Sequence, residues 1–223
     1  MKCQIRNGQI VEVPTEPKVV IDFEESLGFY RDFYQARGVK IPRDFTKVFR
    51  GLWLENQKQI LRAVEVKGFD FLLLGLPVIS VEALDEQITG GGDKTYFWID
   101  PKDIKEHPLV RKPRLVLMHQ EPDLRNLPIL KETLGQPAQT FLDQKVTTTF
   151  SDYRVYNEVV WEKIKVRPDS WGAVWCPGSR AGSSVVRAFW HPVDAQVRVL
   201  AFSPDYSFGS FGCRPSRCFC KRN

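Results

Sequence analysis

The pattern of hydrophobic and polar positions divides the chain into strand-like and helix-like segments. Two short alternating runs flank Asn7 and Gly8 in "QIRNGQIVEV". This arrangement predicts a β-hairpin, because Asn-Gly suits the tight turn between antiparallel strands. Apolar residues then recur at helical spacing in "EESLGFYRDFYQARG" and "RDFTKVFRGLWLENQKQILRAVEVKG", with Gly38 and Gly68 as stops. The first quarter of the chain is therefore expected to combine strands and helices.

A second set of elements surrounds the most glycine-rich point of the chain. A buried strand is predicted in "FDFLLLGLPVI", and a helix opened by Ser80 is predicted in "SVEALDEQIT". The following "GGGDK" (Gly90 to Lys94) is a candidate domain boundary. We expect an α+β region of unknown role at residues 1–90 and a ligand-binding domain at 91–223.

Beyond the boundary, the pattern continues to mix strands and helices. Strands are predicted in "KTYFWID" and "RLVLMHQ". A helix is predicted in "SDYRVYNEVVWEKIKV", with one apolar face formed by Tyr153, Tyr156, Val160 and Ile164.

The last fifty residues show strict alternation in two runs, "VVRAFWHP" and "VRVLAF". Alternate side chains of a strand point to opposite faces of a sheet. One face is small and apolar, as a core requires: Val186, Ala188, Trp190, Val197, Val199 and Ala201. The other face is chemically mixed: Arg187, Phe189, His191, Arg198, Leu200 and Phe202.

Composition and charge are ordinary for a globular protein. The chain has 223 residues, of which 43% are hydrophobic and 26% charged, with a formal net charge of +5. Its basic residues are scattered, which favours a solvated surface, so no nucleic-acid partner is expected. The start lacks an apolar signal region and the longest apolar run is too short to span a membrane. A cytoplasmic or virion-associated protein with reduced thiols is therefore expected.

The candidate reactive residues form weak patterns. Cys213, Cys218 and Cys220 do not have the paired short spacing of a structural zinc site, so we expect no metal and no cofactor. A nucleophilic pair of Cys176 with His191 remains an alternative, which would make the chain an enzyme of unrecognised class.

The composition of the tail is unusual in a specific way. Lys and Glu are frequent upstream, yet Lys, Glu and Met are all absent between Cys176 and Cys220. Arg is retained, so the tail has not simply become apolar.

Three stretches of this tail, "WCPGSR", "VVRAFW" and "GCRPSRCF", resemble the variable end of the ligand-binding proteins of diversity-generating retroelements. The resemblance implies a C-type-lectin-like fold in the C-terminal part: a small twisted antiparallel sheet flanked by helices. In such families an error-prone reverse transcriptase randomises template adenines. Asn codons then become many residues, but never Lys, Glu, Gln, Met or Trp.

This resemblance also implies a binding surface, with a variable face at about 180–212. The implied variable positions all carry residues that adenine mutagenesis can reach: Arg187, Phe189, His191, Arg198, Leu200, Phe202, Asp205, Tyr206, Ser207, Phe208, Ser210 and Phe211. The implied ligand is an unknown protein or surface that differs between variants, and no catalysis is expected. Turns are expected at Gly178, Gly212 and Pro215. No calcium is expected, because the tail lacks an acidic-Asn-Pro sugar site.

Overall fold

The computed structural model describes residues 21–89, 95–119, 133–170 and 172–221, together with the backbone of residues 2–6 and 9–13. Strands β1 (Lys2–Arg6) and β2 (Gln9–Val13) pair antiparallel, which confirms the predicted hairpin. The proposed boundary at Gly90 to Lys94 lies outside the described residues.

Four elements follow the hairpin in the order helix, helix, strand, helix. They are α1 (Phe23–Ala36), α2 (Phe45–Lys67), β3 (Phe71–Gly75) and α3 (Val81–Thr89). Local signals set their ends, as predicted. Gly68 closes α2 in the left-handed conformation, with φ of 68°. The Ser80 hydroxyl accepts the Ala83 N–H at 3.1 Å at the start of α3.

The rest of the described chain contains eight strands, two α-helices and two short 3-10 helices, Pro101–Asp103 and Pro108–Arg111. The elements are β4 (Thr95–Phe97), β5 (Ile104–Glu106), β6 (Arg114–Met118), α4 (Ala138–Asp143), α5 (Phe150–Ile164), β7 (Ala173–Ala181), β8 (Ser184–His191), β9 (Gln196–Phe202), β10 (Phe211–Cys213) and β11 (Arg217–Cys220). The predicted α+β class is therefore correct.

These strands form two further sheets. The larger sheet has the order β10-β7-β8-β9-β4, with β5 also pairing with β7. It is mixed, because β10 and β4 run parallel to their neighbours while β7, β8 and β9 are antiparallel. The smaller sheet is antiparallel, with the order β11-β6-β3. Strand β3 precedes Gly90, whereas β6 and β11 of the same sheet follow it.

Helix α5 lies between the cores of the two sheets. Its Phe150 and Tyr153 pack with the apolar side chains of the larger sheet, whereas Tyr156 and Val160 join α1, α2 and the smaller sheet. The prediction of one apolar face was too simple, because the helix is buried on every side from Phe150 to Val160. Beyond that point it emerges, and Ile164 is 45% exposed.

Charged residues of α5 are buried with partners. Asp152 accepts from the Arg114 guanidinium at 2.6 Å, which ties the helix to β6. Arg154 donates to Asp85 of α3 at 2.7 Å and also contacts Glu158. Buried charges require such pairing and hydrogen bonding, so these contacts fix the position of α5 against its neighbours.

Gly178 lies within β7 and Gly212 lies within β10. Neither glycine is at a turn, so both of these turn predictions were wrong. The register of β7 against β8 shifts between Cys176 and Arg180. At this irregular point Gly178 donates its N–H to the Thr148 carbonyl at 2.8 Å. A Cβ atom on Gly178 would lie 2.5 Å from the Thr147 backbone oxygen. Glycine is required here by the close approach of a second backbone segment.

We therefore expect Gly178→Ala to lower the free energy of unfolding by about 1–3 kcal/mol, because rigid backbone has to shift. The matched control is Gly51→Ala in α2, where a Cβ atom meets nothing within 4 Å. Alanine at position 51 should raise the free energy of unfolding by roughly 0.5–1 kcal/mol, because it has less conformational freedom than glycine in the unfolded chain. Urea unfolding measures both changes. Equal effects of the two substitutions would contradict the close approach at Gly178.

Candidate functional site

The larger sheet has two chemically different faces across β8 and β9. We call the inner face the side formed by Val186, Ala188, Trp190, Val197 and Val199. All five are buried in one cluster with Phe150 and Tyr153 of α5. The inner-face prediction is confirmed for these residues, and Ala201 is half-buried.

The outer face carries the alternate side chains of the same strands. Register brings Arg187 beside Leu200 and Phe189 beside Arg198. Paired residues in adjacent strands have side chains on the same side of the sheet. The six predicted positions in β8 and β9 therefore form one contiguous surface: Arg187, Phe189, His191, Arg198, Leu200 and Phe202.

Burial differs among the twelve predicted positions. Arg187 and Phe211 are buried, with 9% and 7% exposure. Residues of the loop after β9 are exposed: Asp205, Tyr206, Ser207 and Phe208. The remaining six are half-buried: Phe189, His191, Arg198, Leu200, Phe202 and Ser210. Most of the predicted set can therefore be reached from solvent.

Aromatic contacts attach the loop between β9 and β10 to the outer face. Tyr206 stacks on Phe202 with ring centroids 4.8 Å apart. Phe211 lies 5.2 Å from Phe208 and 5.9 Å from Tyr206. Stacked and tilted aromatic pairs at these distances stabilise packing beyond the area that they bury. Strand and loop positions thus belong to one surface.

Helix α4 limits the extent of this surface. Its Ala138 and Phe141 pack against Trp175 and Val185 on the outer side of the sheet. Helix α4 therefore covers the outer face over β7 and the first part of β8, while His191, Arg198 and Leu200 stay half-buried.

Arg187 lies at the base of the accessible part among aromatic rings. Its guanidinium carbon is 3.9 Å from the Phe211 ring centroid and 4.5 Å from that of Phe202. Burial lowers the pKa of Arg187 to about 10. The group therefore remains protonated at neutral pH.

Arg198 has a different environment at the rim. It is hydrogen-bonded to Asp194, and His191 Nδ1 lies 3.2 Å from the same carboxylate oxygen. The hydrogen bond from Arg198 lowers the pKa of Asp194. The charge of Arg198 is therefore balanced within the chain.

A cavity of about 290 Å³ opens beside Arg187. Phe189, Phe211 and His191 contribute to its walls, with Val193 and Ser210 also among its lining residues. Few polar groups face this mainly apolar space, an arrangement typical of sites that bind by shape and one or two specific polar contacts.

Sequence reasoning missed two residues of this surface. Tyr96 of β4 is the register partner of Arg198, and Trp98 continues the same alternation. Their exposed fractions are 51% and 61%, whereas Phe97 between them packs with the inner-face cluster. The alternation within "TYFWI" was the available signal, but its pairing with β9 was not visible in the sequence.

The structure does not bring Cys176 and His191 together. Cys176 belongs to the inner-face cluster, and burial raises the pKa of its thiol well above the usual value. His191 lies on the opposite face. Cys213 is also buried, and its thiol donates to the Trp175 carbonyl at 3.5 Å. Within the described ranges, no three His, Cys, Asp or Glu residues are grouped to hold a metal ion.

None of the helices in the described part is both long and apolar enough to span a membrane. Comparisons with protein-family models, curated proteins and solved structures found no match.

We expect Cys176 to resist alkylation in the folded protein. The thiolate is the reactive form of cysteine. Because the pKa of Cys176 is raised in the folded chain, its thiol stays protonated and unreactive until the chain unfolds. Iodoacetamide treatment at pH 8, followed by mass spectrometry, should modify half-buried Cys220 in the native protein and Cys176 only after denaturation. Modification of native Cys176 at the rate of Cys220 would contradict this assignment and favour a catalytic thiol.

Proposed function

We propose that this chain is a ligand-binding protein whose outer face is a variable surface on a C-type-lectin-like scaffold. The surface consists of the twelve positions in β8, β9 and the loop to Phe211. Its ligand is a protein or surface group that differs between variants, and the scaffold itself performs no catalysis.

The observation that carries this proposal is the division between the two faces. Buried inner positions such as Val197 and Val199 alternate with accessible outer positions such as Arg198 and Leu200. Side chains on an outer face can change without disturbing the core beneath them, as in binding loops held by a rigid scaffold.

The residue types of the outer face support the same function. Tyr, Phe and Arg provide large contact areas and strong anchors, while Ser and Asp provide adaptable hydrogen bonds. All twelve residues also belong to the set that adenine mutagenesis of Asn codons can reach. Trp190, which such mutagenesis cannot produce, faces the core.

Diversification by a retroelement accounts for both the constant inner face and the residue types of the outer face. Adenine-directed mutagenesis confined to outer-face codons would diversify the ligand contacts and leave the inner face constant. The mixed sheet with flanking helices is compatible with the C-type-lectin-like scaffold of such proteins.

Two matched libraries test this function. One randomises Arg187, Phe189, His191, Arg198, Leu200 and Phe202 with codons of mixed first and second bases and a fixed third cytosine. The other applies the same codons to Val186, Ala188, Trp190, Val197, Val199 and Ala201. Both libraries alter six positions in the same two strands, so they differ only in the face that is changed.

We expect most members of the outer-face library to fold and most members of the inner-face library to fail. A buried polar or charged substitution costs several kcal/mol, comparable to the whole stability of a domain. Surface display with protease challenge measures the folded fraction. Selection of the folded outer-face members against immobilised streptavidin should then yield binders. Equal survival of the two libraries, or folded members without any binder, would contradict the proposed function.

A further inference from the structure

Arg187 differs from the other buried arginines of the described residues. Arg114, Arg154, Arg167 and Arg214 are also less than a tenth exposed, and each forms an ion pair with a carboxylate. Arg187 has no ion pair within the described part of the chain, and its buried Nε–H has no hydrogen-bond partner there. Among the described residues, four buried guanidinium groups are therefore neutralised by carboxylates and Arg187 is not.

Aromatic contacts compensate only partly for this burial. The ring faces of Phe202 and Phe211 attract the cation, but they do not accept hydrogen bonds in the plane of the guanidinium. An arginine presents its N–H groups as a planar fork that matches a carboxylate in two parallel hydrogen bonds. A carboxylate against this fork would supply both the hydrogen bonds and the opposite charge.

The cavity beside Arg187 is open to receive such a group. Its volume of about 290 Å³ is at the lower end of small-molecule sites, and it suits a side chain inserted from a partner. Apolar walls from Phe189 and Phe211 lower the local polarity once a partner side chain fills the cavity, which strengthens the interaction between opposite charges.

We propose that Arg187 binds the carboxylate of an Asp or Glu side chain presented by a protein partner. This inference rests on the proposed binding function of the outer face and names the chemistry of its ligand. A carboxylate fits better than a phosphate, which carries more negative charge and calls for several cations. Arg198, the neighbouring arginine, is already paired with Asp194.

Selection of a random-peptide display library tests this chemistry. The library is selected separately against the native protein, Arg187→Gln and Arg62→Gln. Arg62 is exposed on α2, so its substitution removes the same charge away from the outer face. Peptides rich in Asp and Glu should be enriched by the native protein and by Arg62→Gln, and not by Arg187→Gln.

The enriched peptides then allow a double-mutant cycle. Replacing the critical Asp or Glu by Asn or Gln should weaken binding to the native protein roughly 10- to 100-fold, as for a desolvated charge pair. The same replacement should change binding to Arg187→Gln less than about threefold, because its charged partner is already absent.

A second variant covers the case in which Arg187→Gln does not fold. Leu200 is the cross-strand neighbour of Arg187, so Leu200→Asp places a carboxylate beside the guanidinium from within the chain. Acidic peptides should bind this variant more weakly than they bind Leu200→Asn, which has similar shape without the charge.

The outcomes separate the two proposals. Enrichment of peptides without an acidic preference, or an acidic preference that survives in Arg187→Gln, would overturn the role of Arg187 and leave the binding face intact. Failure of every selection would overturn both the binding face and the inference built on it. Binding of an oligonucleotide that competes with the acidic peptides and depends on Arg187 would assign the site to phosphate instead.

Discussion

The burial of α5 is the constraint on which the rest of the structure depends. A buried helix has to pair its charged groups internally, and α5 does so with Asp152, Arg154 and Glu158 in its buried part, Phe150 to Val160. Removing one partner of a buried ion pair typically costs 3–5 kcal/mol, because the other charge is left without compensation. The pairs with Arg114 and Asp85 thus connect α5 to both the smaller sheet and α3.

This enclosure determines which side of the larger sheet can vary. The inner face packs on α5, so its side chains are fixed by volume and polarity. On the outer face, α4 packs over β7 and over Val185 of β8, while His191, Arg198 and Leu200 remain half-buried among the described residues. Arg187 combines both situations, since it is buried like a core residue and yet lacks the carboxylate that every other buried arginine of the described chain possesses.

The elements that could be predicted from the sequence are those determined by local signals. The first hairpin, α1, α2 and the alternation of β8 and β9 follow from spacing and stop residues, and each is present. Pairings between distant segments were not accessible, such as β11 with β6 or β4 with β9. For this reason Tyr96 and Trp98 were missed, and Gly178 was assigned to a turn although a second backbone segment approaches it.

Sequencing many natural alleles of the gene tests the proposed variable face most directly. We predict substitutions concentrated at the twelve outer-face and loop positions, all at codons derived from adenine-bearing template triplets. A near-identical repeat of this coding segment and a reverse-transcriptase gene should lie nearby. Substitutions spread evenly over the inner and outer faces, with no bias toward adenine-derived codons, would contradict a retroelement-diversified binding surface.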